Sequence, residues 1–169
     1  MALTTTVGGA TSDSYGTLDA FYAYCEAMGW VYSTFGYDET IEVALRRSTM
    51  WLDRESNFIG VKVAKAQALE WPCYTGGVTD KNGFVIESDE VPQPIIDAEF
   101  EMAWMILNGE TPLATIENGA IKTESVSAGS VARSVTYGGI SSKKEFTAVA
   151  GLLQGLATGG SNQSDLIRG

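Results

Sequence analysis

Six carboxylates, Glu87, Asp89, Glu90, Asp97, Glu99 and Glu101, follow one another with no base among them. Two carboxylates held close together can divide acid and base roles when burial drives their pKa values apart. Asp97 and Glu101, one helical turn apart, have that spacing. Their neighbours read as solvated, and like charges at i, i+4 repel mildly. The six therefore read as a wet acidic face, or as a surface past which DNA travels without sticking. Asp80-Lys81-Asn82-Gly83 followed by Asp89 echoes a calcium loop. Val78 stands where the first carboxylate ligand belongs, however, and the closing glutamate is missing, so a hairpin turn is the expectation.

The remaining chemistry is thin. There is no histidine, which removes Ser-His-Asp and Cys-His catalysis and the commonest zinc ligand. No Walker loop, GxGxxG or CxxC is present. Cys25 sits among apolar residues at helical spacing and reads as a small buried hydrophobe; Cys73 follows Pro72 in a loop and reads as a free thiol. Asn162-Gln163-Ser164 matches a glycosylation acceptor but has no leader sequence to give it meaning. The expectation is a protein with no catalytic, metal-binding or cofactor-binding residues, and not an enzyme.

Composition bounds the rest. The 169 residues are 44% hydrophobic and 19% charged, enough for one compact unit with an appended arm. The 21 acids against 11 bases give a formal net charge of −10, which argues against a surface that grips phosphates. No run approaches the roughly 18 apolar residues of a membrane span, and the start has no leader pattern, so a cytoplasmic, non-membrane protein is expected. The charge is uneven. Residues 1–110 hold 17 acids against 6 bases and all four tryptophans; residues 111–169 hold 4 acids against 5 bases.

Three helices are legible in the first part. Leu18, Phe21, Tyr22 and Cys25 recur at helical spacing between a Thr17 N-cap and a Gly29 stop. A second helix starts at Asp38, with Ile41, Leu45, Ser48 and Leu52 along one face. A third runs from about Pro92 to Asn108, opening with proline and acids and closing on an apolar end, Met102 to Leu107. A short helical piece is expected around Lys65–Leu69 and a small hairpin about Asp80–Gly83. In the second part Val131, Arg133, Val135 and Tyr137 alternate as a strand, with Ile121–Val126 as partner. Phe146, Val149, Leu153 and Leu156 are spaced as a helix that Gly151 and Gly155 weaken. The predicted fold is mainly α: a small helical-bundle body over 1–110 with a short β-hairpin, and an extended C-terminal arm of strands plus weak helix over 111–169.

The order of features also carries a resemblance. Ser14-Tyr15 precedes the first helix; Ala44-Leu45-Arg46-Arg47-Ser48-Thr49 and Leu52-Asp53 follow in the second. Then come Gly60, Gln67-Ala68-Leu69-Glu70-Trp71-Pro72, Gly83, Val91-Pro92, Ala98, Ile121–Val126, Tyr137 and Leu166-Ile167-Arg168. This resembles the tailed-bacteriophage head–tail adaptor (connector or head-completion) proteins, some of which carry a DnaT-like single-stranded-DNA-binding label. The match covers most of the chain in order, with Ala-Leu-Glu-Trp-Pro its most specific piece. It departs at Cys73, where that family often has arginine, and in the glycine-rich stretch after Tyr137.

The resemblance implies a homo-oligomeric, typically dodecameric ring beneath the portal of a virion, made in the host cytoplasm. Such a ring extends the DNA channel, passes DNA without holding it, and offers a platform to tail, tail-terminator or stopper proteins. Its arm would dock onto the portal protein or a neighbouring subunit through Phe146, Val149, Leu152, Leu153, Leu156, Leu166, Ile167 and Arg168. The acidic run would face the channel or solvent. The alternative is a single-stranded-DNA-binding or replication accessory protein, with Trp30, Trp51, Trp71 and Trp104 as stacking candidates.

Overall fold

The computed structural model describes residues 2–80, 82–112 and 146–158, together with the strand backbones of 123–128 and 131–136. Helix α1 covers Leu18–Met28. The Thr17 side chain caps it by accepting from the Ala20 amide at 3.2 Å, and Gly29 ends it at φ 71°, a conformation that needs a residue without Cβ. A single 3-10 turn, Tyr32–Phe35, leads into α2, Asp38–Glu55. Two-residue strands β1 (Asn57–Phe58), β2 (Val61–Lys62) and β3 (Cys73–Tyr74) precede α3, Gln93–Leu107. Strands β4 (Thr123–Ala128) and β5 (Val131–Thr136) follow, then α4 (Thr147–Leu152) and β6 (Ala157–Thr158).

The fold is mainly helical with short antiparallel strand pairs, as the hydrophobic spacing predicts. β1 pairs with β6, β2 with β3, and β4 with β5 in register from Thr123 opposite Thr136 to Ala128 opposite Val131. The chain divides into two compact units, Met1–Pro112 with Phe146–Gly169, and Leu113–Glu145. The second contains the β4–β5 hairpin.

The first unit is built on α3, which packs along α2 and carries α4. Its apolar faces make two clusters. One gathers Phe21, Cys25, Ile41, Leu45, Phe100 and Ala103; the other gathers Leu52, Trp71, Ile95, Met102, Val149, Leu153 and Leu156. Cys25 and Cys73 are free, buried, and fall in different clusters; Cys73, expected in a loop, begins β3.

Two segments differ from the sequence expectation. Lys65–Leu69 forms turns, because the Gln67 side chain takes over the local backbone groups: its Oε1 accepts from the Ala64 amide, and its Nε2 donates to the Leu69, Glu70 and Pro72 carbonyls. The segment from Phe146, expected to extend from the body as part of an arm, lies in the body's core. Val149, Leu153 and Leu156 are 1, 7 and 3% exposed, and the Leu156 carbonyl accepts from the Ile59 amide at 3.0 Å. A six-residue helix containing Gly151 is too short to persist alone and is held by this docking.

Leu153→Ala should therefore destabilise the whole first unit, by about 2–5 kcal/mol in urea unfolding. An unchanged midpoint would show that α4 is not part of the cooperative core.

Candidate functional site

Polar residues in the interior need hydrogen-bond partners or a task. Glu99 lies on the same face of α3 as Ile95 and Met102 and has no solvent exposure. Its Oε1 accepts from Ser14 Oγ at 2.6 Å, Thr49 Oγ1 at 2.5 Å and the Tyr15 amide at 3.3 Å; its Oε2 accepts from the Gly16 amide at 2.7 Å. One carboxylate thus ties the N-terminal segment to α2 and α3. Gly16 can approach so closely because it lacks a side chain: a Cβ there would sit 2.4 Å from the Phe100 ring. Burial pushes the Glu99 carboxyl up to about 7, against the pull of its four donors. Both hydroxyls have a second outlet, Ser14 to the Gly16 carbonyl and Thr49 to the Leu45 carbonyl. The cluster can therefore rearrange its protons when Glu99 is neutral.

A second polar cluster fixes the Gln67–Pro72 loop. The Tyr15 hydroxyl donates to Asp53 Oδ1 and accepts from the Trp71 amide, while Asp53 Oδ2 accepts from the Glu70 amide. The Trp71–Pro72 peptide is cis, and the Trp71 ring is buried. Burial raises the Asp53 carboxyl to about 6 and pushes the Tyr15 hydroxyl well above its ordinary range. The carboxylates of both clusters are hydrogen-bonded from within the fold, whereas the buried Trp71 Nε1 has no hydrogen-bond partner among the described residues. They build the body and leave function to its surface.

The residues expected at functional positions are distributed as follows. Glu87, Asp89 and Glu90 are exposed. Asp97 accepts from Gln93 Nε2 at 2.8 Å and Glu101 from the Tyr24 hydroxyl at 3.0 Å, both partly exposed. Glu99 does not belong to that wet face, because the turn of α3 carries it inward. Asp80 closes its turn by accepting from the Asn82 and Phe84 amides at 2.8 and 2.9 Å; those backbone bonds hold its carboxyl below the usual range. Phe146 and Leu152 pack on the core beside buried Val149, Leu153 and Leu156. Leu166, Ile167 and Arg168 lie outside the described residues.

The tryptophans separate by environment. Trp71 is core. Trp30 and Trp104 stack on each other at 4.5 Å, with Tyr24 and Phe35 against their other sides. Trp51 on α2 is partly exposed and partly packed against the cluster of Leu52 and Trp71; among the described residues its ring meets that of Phe146 edge-on at 5.2 Å. The exposed face of α2 carries Val43, Arg47, Met50 and Arg54, positions that align at helical spacing. Sequence reading missed this face because it followed the buried stripe of the same helix; Arg47, Trp51 and Arg54 at i, i+4, i+7 were the available signal.

A family model described as "Putative DnaT-like ssDNA binding protein" matches residues 1–169, the full length of the chain. The chain belongs to this DnaT-like family. No curated protein and no solved structure gives a match. The family overturns the head–tail adaptor expectation, and with it the portal-docked ring, the tail platform and the portal and tail partners. The physical reason is visible in the most specific motif of that resemblance. Gln67 to Pro72 is spent on internal hydrogen bonds, so the motif reports how a loop is built and says nothing of what the protein docks to. The α4 residues assigned to docking are likewise occupied by their own core.

The buried carboxylate of Glu99 makes stability pH-dependent. The folded state holds its proton more tightly than an unfolded chain, where the group titrates near 4.5. Its contribution is fully present below that pH and is lost as pH rises towards about 7, on the order of 3 kcal/mol. Asp53, raised from 3.8 to about 6, adds a loss of the same sign at slightly lower pH. Urea unfolding at about pH 5 and about pH 8 should show this fall, and Glu99→Gln should flatten it. Equal pH slopes in the two proteins would remove Glu99 as the cause.

Proposed function

We propose that this protein binds single-stranded DNA and acts as a binding or replication accessory protein rather than as an enzyme. The observation that carries the reading is the match of the DnaT-like family over the entire chain. The absence of histidine fits a role without acid–base catalysis, and among the described residues no group of three or more His, Cys, Asp and Glu side chains gathers for a metal.

The net charge of −10 bears on strength more than on kind. Single-stranded DNA needs a few well-placed cations and an aromatic face for a base, while the field of the remaining surface sets how far binding survives against repulsion. An acidic protein of this family is therefore a modest, strongly salt-dependent binder that releases its strand readily.

Fluorescence anisotropy with a labelled oligothymidylate should give saturable binding at about 50 mM salt that weakens steeply by about 200 mM. No saturable binding at the lower salt would refute the reading.

A further inference from the structure

We infer that the single strand lies on the outer face of α2, with Arg47 and Arg54 each taking a phosphate and a base stacking on the exposed part of Trp51 between them. The assignment rests on the single-stranded-DNA reading and gives it a location.

The cations of the described residues are unequally committed. Among the described residues, Arg46 is committed to Asp13 at 2.6 Å and to Glu42 at 3.6 Å, and Lys62 to Glu70 at 3.1 Å. Arg47 and Arg54 are exposed and make no ion pair with a described residue. Guanidinium groups left unpaired on a protein this acidic are available to a phosphate, which they can hold through two parallel hydrogen bonds.

Helical spacing brings the three side chains together. Trp51 stands four residues after Arg47 and three before Arg54, so on an α-helix both arginines are its surface neighbours. The arginines are seven residues apart, about 10.5 Å along the axis. Val43 and Met50, 46 and 43% exposed, extend the apolar part of the face. From Val43 to Arg54 the exposed face carries no acid; Asp53 turns away to Tyr15 and the Glu70 amide, Glu39 lies towards the start of the helix, and exposed Glu55, four residues after Trp51, bounds the face at its far end. The helix is also fixed in place, by six buried residues and by the Thr49–Glu99 hydrogen bond, so the strand meets a face already ordered.

The competing aromatic surface has the opposite chemistry. Trp30 and Trp104 cover each other, as do Tyr22 and Tyr32 at 4.5 Å. The hydroxyls around them donate to carboxylates: Tyr22 to Asp38, Tyr24 to Glu101 and Tyr32 to Glu26. A phosphate there meets anions; on α2 it meets two cations.

The test measures oligothymidylate binding by the full chain, by Arg47→Ala/Arg54→Ala, by Trp51→Leu and by Lys65→Ala, beside a duplex of equal length. Removing two phosphate contacts should make the slope of log affinity against log salt shallower by about 1.4. Trp51→Leu should weaken binding about ten-fold, and the duplex, which offers no unstacked base, should bind less well than the single strand. Lys65→Ala, at an exposed lysine outside α2, should have little effect. Because the two arginines make no hydrogen bond or ion pair with a described residue, the double variant should melt close to the wild type, and it tests the assignment even if Trp51→Leu fails to fold. A double variant with wild-type affinity and slope would overturn the α2 assignment while leaving the function standing. A wild type that does not bind would remove both.

Discussion

A carboxylate sealed from water must be hydrogen-bonded on every side, and the arrangement around Glu99 depends on meeting that demand. Four donors from two separate stretches, Ser14–Gly16 and Thr49, converge on one side chain of α3. Oε1 shares three of them, whereas Oε2 has the Gly16 amide, and losing that bond would leave a buried oxygen unpaired at a cost of about 1–3 kcal/mol. The hub therefore specifies where the N-terminal segment crosses the α2–α3 pair. The register of Gly16 against Phe100 follows from it. Tyr15, held between the Glu99 donors, is then placed to bridge Asp53 and the Trp71 amide. A network at one carboxylate thus extends to the loop that covers the second hydrophobic cluster.

That dependence reaches the surface. Thr49 points inward to Glu99 while Arg47 and Met50 on the same helix point out, so the hub fixes which face of α2 is presented to solvent. Asp53 is similarly committed inward, which keeps its charge away from Arg54. Interior satisfaction and exterior basicity are two sides of one helix orientation.

Much of the helical frame was legible in the sequence because local rules govern it. Thr17, Gly29 and the apolar spacing of Phe21 and Cys25 define α1, and the stripe from Ile41 to Leu52 defines α2. The strand alternation at Val131–Thr136 likewise reports β5. What α4 packs against was not legible, since spacing shows that a face is apolar without naming its partner. The inward turn of Glu99 was masked by its acidic neighbours, although its alignment with Ile95 and Met102 contains the signal. Gln67 was read as one residue of a short helix because its side-chain bonds to the backbone join groups that only the folded loop brings together. The functional resemblance failed for a related reason: a motif devoted to loop construction can be shared by proteins whatever they bind.

The four tryptophan indoles occupy distinguishable environments: Trp71 in the core, Trp30 and Trp104 partly exposed but stacked on each other, and Trp51 partly exposed on α2 beside Phe146. Nuclear magnetic resonance of the indole N–H groups during titration with oligothymidylate therefore reads the binding surface directly. The account predicts that the Trp51 signal shifts progressively while those of Trp30, Trp71 and Trp104 stay in place. Movement of the Trp30 and Trp104 signals with Trp51 unchanged would contradict it.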